Sequence, residues 1–161
     1  MSACTNALFY PQTVQFSAPD RFGVIYENLE IETNDHIKLH GWKLFASDEV
    51  RGTILFLHGN GENISSHFLN VHWLTAYGYD VYLFDYRGYG KSEGIAQLDD
   101  VIKDADNMIT YAINQLRDNE KLIVMGHSLG ASLSIHAVRI TNIKSELKRW
   151  SRLRLFLIIT R

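Results

Sequence analysis

The chain has 161 residues, a formal net charge of −2 and 46% hydrophobic residues. That is one domain's worth of chain, with the apolar content of an ordinary soluble globular protein. The balanced charge leaves no electrostatic footprint for nucleic acid, and no apolar run approaches the ~20 residues of a membrane span.

Residues 1–22 hold both prolines, Pro11 and Pro19, and the single cysteine, Cys4. They are expected to form an irregular lead-in to a partial domain over residues 23–161. A lone cysteine cannot close an internal disulfide, which fits a reducing compartment. There is no basic stretch followed by a long apolar core, so no signal peptide is read. The cytoplasm is the expected location, with membrane association left open.

Residues 24–33 and 36–45 read as two antiparallel strands. The turn between them holds Asn34 and Asp35, residues that tolerate tight turns. Alternation in Ile37-Lys38-Leu39-His40-Gly41-Trp42 is that of a half-exposed strand. The run Thr53-Ile54-Leu55-Phe56-Leu57 reads as a buried strand and leads into the glycine-rich turn His58-Gly59-Asn60-Gly61. Such a turn can aim backbone N–H groups into a cleft, where acyl transfer needs donors for a developing negative oxygen. A helix is predicted over residues 63–77, with Gly78 as its C-cap. His67 and His72 on it read as surface or packing residues.

Val81-Tyr82-Leu83-Phe84 reads as the next strand, followed by the turn-rich loop Asp85-Tyr86-Arg87-Gly88-Tyr89-Gly90-Lys91-Ser92. Arg87, Lys91 and Ser92 read as loop residues. The clearest helix covers residues 97–116. There Leu98, Val101, Ile102, Ala105, Met108, Ile109, Ala112, Ile113 and Leu116 fall on one stripe, and Asp99 and Asp100 lie in the first turn, where acids favour the helix dipole.

The most informative segment is Gly126-His127-Ser128-Leu129-Gly130. An apolar β-rich run, Leu122-Ile123-Val124-Met125, precedes it, and a helical stretch over residues 131–140 follows. Strand, glycine-flanked serine and helix together make a nucleophile elbow. The serine takes a strained conformation at a sharp turn, and Gly126 and Gly130 keep the flanking chain free of side chains where it crowds. Ser128 is the expected nucleophile, lifted to the positive end of the next helix, with the Leu129 N–H as one oxyanion donor. Side chains of adjacent residues diverge at such a turn, so His127 is not expected to reach the Ser128 hydroxyl. His136 lies on the order of 12 Å further along the helix. No histidine or cysteine spacing suggests a metal site, and no cofactor is expected.

With these three loops in order, residues 25–147 resemble the α/β-hydrolase superfamily. The likeness is to its small serine-peptidase, monoglyceride-lipase and thioesterase-like branch, which carries HG-x-G-E, D-x-R-G-x-G-x-S and GHS-x-G motifs. The resemblance implies an α/β fold: a mostly parallel sheet with helices on both faces. Here that would be the N-terminal half only, with roughly five or six strands. It implies hydrolysis of an ester, thioester or amide of a small acyl substrate through an acyl-serine. The second oxyanion donor would be the Asn60 loop, with Gly61 as the alternative. His58 and Gly59 would hold that loop, and Asp85 would bond loop amides in a structural role.

In this fold the triad runs serine, acid, histidine. The 33 residues after Ser128 hold only His136 and Glu146, in the reverse order. The triad is therefore expected to be incomplete and activity impaired, which leaves a non-catalytic remnant or a binding module as alternatives. The chain also changes character near Lys148, where it turns basic and then wholly apolar, and a disrupted reading frame with C-terminal truncation is the expected reading. Residues 153–160 suit a sixth, buried parallel strand, in preference to a membrane-surface tag.

Overall fold

Alternation along the central strands sends neighbouring side chains to opposite faces of one sheet. Leu55 and Leu57 pack on one face with Tyr82, Phe84, Leu122 and Val124. Ile54 and Phe56 pack on the other with Trp42, Leu44, Val81 and Leu83. The computed structural model describes residues 8–140 and 153–158. Its strands are β1 (Tyr26–Glu32), β2 (Lys38–Leu44), β3 (Gly52–Leu57), β4 (Tyr79–Phe84), β5 (Leu122–His127) and β6 (Leu153–Ile158). Their order across the sheet is β1-β2-β4-β3-β5-β6. β1 pairs antiparallel with β2, and β2 antiparallel with β4. The remaining pairs, β4 with β3, β3 with β5 and β5 with β6, are parallel.

Helices cover both faces, as the alternating pattern requires. α2 (Leu98–Asn114) and α3 (Leu129–Ile140) lie on the first face. From α2, Val101, Ala105, Met108, Ile109, Ala112 and Ile113 enter the core, as the stripe predicts. Fully burying a side chain such as Val101, Met108 or Ile109 contributes about 1.5–3 kcal/mol. Leu98, placed on the same stripe by spacing, is instead 40% exposed at the helix start. On the other face Ile64, Phe68 and Val71 cover the sheet.

The helix predicted over residues 63–77 is a correction. One α-helical turn, α1 (Ile64–His67), gives way to 3₁₀ turns over Phe68–Asn70 and His72–Tyr77. Asn63 caps α1 well, its Oδ1 accepting the Ser65 N–H at 2.9 Å. The carbonyls that should continue the helix are engaged by side chains. Ser66 Oγ donates to the Asn63 carbonyl, His72 Nδ1 to that of Leu69, Trp73 Nε1 to that of Asn70 and Thr75 Oγ1 to that of His72. Such bonds compete with a regular helix. Gly78, at φ 84°, closes the last turn as expected.

The apolar tail forms β6 beside β5, in register from Leu122↔Leu153 to His127↔Ile158. Cys4, Glu146, Lys148 and the proposed break in the reading frame lie outside the described residues. Among the described residues no helix is long and apolar enough to cross a membrane.

Two connections now fix where a site can form. β3 connects onward to β4 on one side of it, whereas β5 connects onward to β6 on the other. The sheet therefore reverses direction between β3 and β5, and ligands of open α/β sheets bind at the carboxyl ends of the strands at such a point.

Candidate active site

Leu57 and Gly126 are paired at the ends of β3 and β5. The chain leaves β3 as His58-Gly59-Asn60-Gly61 and leaves β5, which ends at His127, through Ser128, so the two turns face each other. Between them lies a cleft of about 300 Å³ lined by Gly59, Asn60, Gly61, Glu62, His67, His127 and Ser128. The sequence-derived residues Gly59, Asn60 and Ser128 thus share one wall system, although they are far apart in the chain.

Ser128 sits at φ +51°, a conformation that residues other than glycine seldom hold. Its carbonyl accepts the Ala131 and Ser132 N–H groups at 3.0 and 3.3 Å, which starts α3. Leu129 opens that helix, so its N–H belongs to the first turn, whose donors have no partner within the helix. Ser128 itself is solvent-exposed.

The two elbow glycines are needed for different contacts. A β-carbon on Gly126 would overlap the backbone of Ala131 in the following helix, as crowding at the turn predicts. A β-carbon on Gly130 would overlap the carbonyl oxygen of Leu57 in the neighbouring strand. Gly130 therefore docks α3 against the end of β3, and the two facing loops are held in one arrangement.

Three imidazoles line up beside the serine. His58 and His67 stack at 5.4 Å between centroids, and His67 and His127 lie 5.5 Å apart. His58 is fully buried against Tyr86 and Tyr89. Its Nδ1 donates to the Gly59 carbonyl at 2.8 Å. Burial is the main cause that holds its pKa down to about 4; the Asp85 carboxylate, 3.8 Å away, opposes it. His67 is likewise held below its ordinary value, chiefly by burial. Its Nε2 donates to the Gly61 carbonyl at 3.1 Å. His67 was read from sequence as surface or packing; the structure places it on the cleft wall. Only a contact six residues back, to Gly61, could have signalled this.

His127 Nδ1 is buried without a hydrogen-bond partner, and it would lie 2.6 Å from a β-carbon on Gly59. Its Nδ1 is therefore not bonded to Ser128. His136 is exposed on α3. His72 packs its ring on Phe22 and Phe68, away from the cleft.

Asp85 supports the loops from below. Its Oδ1 accepts the Ile64 N–H at 2.8 Å, and His40 Nδ1 lies 3.5 Å from its Oδ2. Arg87, read from sequence only as a loop residue, is a buried connector. Its guanidinium donates to Asp104 on α2 at 2.6–3.0 Å and to Asp35 in the β1–β2 turn at 2.8 Å. Those bonds hold the Asp35 carboxyl well below the usual carboxylate range. Among the described residues no group of three or more His, Cys, Asp or Glu is placed to hold a metal ion.

Comparison with known proteins decides the family. The family model described as serine aminopeptidase, S33, matches residues 48–150. The chain belongs to that family of α/β hydrolases. The protein YfhR of Salmonella typhi is 30% identical over 138 residues, covering 83% of this chain and 46% of its own length. A Saccharomyces cerevisiae protein described as an uncharacterized membrane protein is 33% identical over 138 residues, covering 81% of this chain and 48% of its own length. A solved Pyrococcus furiosus esterase superposes with a TM-score of 0.71 at 27% identity, covering 83% of this chain and 52% of the esterase chain. This S33-family chain thus spans about half the length of the relatives it matches.

Proposed function

We propose that Ser128 is the nucleophile of an acyl-transfer reaction on a small ester, thioester or amide. The observation that carries the reading is the position of Ser128. It is exposed at φ +51° on the lip of a cleft, at the start of α3, facing the glycine-rich loop across the β3–β5 switch point. In this reading the Ser128 oxygen adds to the acyl carbonyl and the leaving group departs with a proton. Water then hydrolyses the acyl-serine. The N–H groups of Leu129 and Asn60 would stabilise the oxyanion, a contribution worth about 3–4 kcal/mol per donor where measured. His58, Gly59, Gly126 and Gly130 hold the two loops and touch no reacting atom.

No triad acid or base is assigned among the residues of this chain. The 33 residues after Ser128 contain no acid followed by a histidine. An oxyanion hole and binding alone leave about 10³-fold over water when triad members are removed. This chain is accordingly proposed to acylate and deacylate slowly. A structural neighbour described as an esterase supports esters as the substrate class. The cytoplasm or a membrane face is the proposed setting, the second supported by the yeast relative's description.

Hydrolysis of p-nitrophenyl acetate by the full chain tests this. Slow turnover lost in Ser128→Ala is expected. Turnover unchanged by Ser128→Ala would move the chemistry elsewhere, and no turnover in a folded chain that still binds acyl analogues would leave a binding module.

A further inference from the structure

Residues 8–16 contain no helix or strand, yet they lie along the loop that follows β3. Asn60 meets them with both ends of its amide. Its Nδ2 donates to the Leu8 carbonyl at 2.6 Å, and its Oδ1 accepts the Tyr10 N–H at 3.0 Å. The same Oδ1 accepts the Tyr89 hydroxyl at 2.7 Å. Further along, Asn63 Nδ2 donates to the carbonyls of Gln12 and Val14 at 2.9 and 2.8 Å. The Phe16 N–H donates to Ser65 Oγ at 2.9 Å, and the Gly90 N–H donates to the Gln12 carbonyl at 2.9 Å. Phe9 is buried in the core and anchors the near end.

We propose that residues 8–16 are a strap that sets the conformation of the oxyanion loop, and that Asn60 is the positioning residue through which the strap acts. The loop needs such support. Glu62 sits at φ +55°, a sparsely populated conformation for a residue with a side chain that persists only where the surroundings over-determine it. Gly61, at φ +138°, has the freedom of a glycine to leave its conformation unless it is held. His67 holds the Gly61 carbonyl from the cleft side, and the strap holds Asn60 from the other. Between them the Asn60 peptide has a fixed orientation, which is what a preorganised oxyanion donor requires. The strap contributes mostly backbone groups. Its fit therefore depends on its path, whereas the receiving side depends on the two asparagine amides. The catalytic consequence rests on the Ser128 reading; the strap itself does not.

A double-mutant cycle in the full chain, read by amide hydrogen exchange at Ile64 and Ser65, tests the strap. Tyr10→Pro removes the strap's donor to Asn60, and Asn60→Ala removes the receiving amide while keeping the backbone N–H. Tyr10→Pro is expected to speed exchange by about 5–10-fold, the factor corresponding to one neutral hydrogen bond, Asn60→Ala by more because it removes three, and the double variant to exchange no faster than Asn60→Ala alone. Tyr89→Phe, with a smaller increase, serves as the milder variant if Asn60→Ala does not fold. Unchanged exchange in Tyr10→Pro, or effects that multiply independently, would overturn the strap.

The rate of fluorophosphonate labelling gives the second reading. Asn60→Ala should slow the chemical step while leaving probe affinity unchanged, and Asn60→Asp, which keeps an acceptor for Tyr10 and Tyr89, should recover part of the loss. A change in affinity alone would overturn the positioning role. Absence of labelling in the native chain would count against Ser128, and the exchange cycle would still judge the strap.

Discussion

The α-carbon of Gly130 lies so close to the carbonyl oxygen of Leu57 that a methyl group there would overlap it. One contact thereby docks the helix after Ser128 onto the strand that carries the facing loop. The obstructing atoms are backbone, from Leu57 and His58, and cannot swing aside. Gly130→Ala should destabilise the chain by about 3 kcal/mol, at the upper end of overpacking costs. Urea unfolding measures this, and a loss below about 0.5 kcal/mol would show that the two elements are not docked as described.

Arg87 and Asp104 make a second strong test. Arg87 is 4% exposed and Asp104 fully buried, and burial pushes the Asp104 carboxyl up against the opposing pull of the guanidinium. Removing one partner of a buried pair typically costs about 3–5 kcal/mol, because the other charge is left uncompensated. Arg87→Ala should fall in that range. The Arg87→Ala, Asp104→Ala double variant should be less destabilised than the sum of the two single variants, since they share one interaction. Simple additivity in the same unfolding assay would contradict the pairing.

Much of this fold was legible in short stretches of sequence. The runs at residues 54–57, 81–84 and 122–125 are short, mostly apolar segments rich in β-formers, and each lies in a strand. The 97–116 stripe is a helix because its spacing matches the helical repeat. The turn at Ser128 was legible because its signature is local, two glycines, a serine and the elements on either side, although the contact that requires Gly130, with the Leu57 carbonyl, lies on another strand. The Arg87 network was not, because its partners lie 17 and 52 residues away. His67 was misplaced for a related reason. It lies in the one regular helical turn, and what brings it to the cleft is its contact with the Gly61 carbonyl of the preceding loop, which is not a periodic signal. The contacts of residues 8–16 use main-chain groups, which no residue type announces.

His58 gives the chain a pH dependence of known sign. Its folded-state pKa of about 4 lies below its ordinary value of 6.5. Between those values the unfolded chain binds a proton that the folded chain does not, so stability falls as pH drops through the window. Burial is the main cause, and the loss attributable to His58 should approach about 3 kcal/mol by pH 4. His67 adds in the same direction. Urea midpoints at pH 7 and pH 4.5 measure the slope. His58→Gln should flatten it, and an unchanged slope in that variant would show that His58 is not the group responsible.

The central claim is that Ser128 is an accessible nucleophile at the β3–β5 switch point. The direct measurement is mass spectrometry of the full chain after a fluorophosphonate probe, with tryptic mapping of the adduct. The account requires slow, single-site phosphonylation on Ser128 that disappears in Ser128→Ala while the variant unfolds at the native urea midpoint. A folded chain that stays unmodified, or one whose adduct maps to another residue, would contradict it.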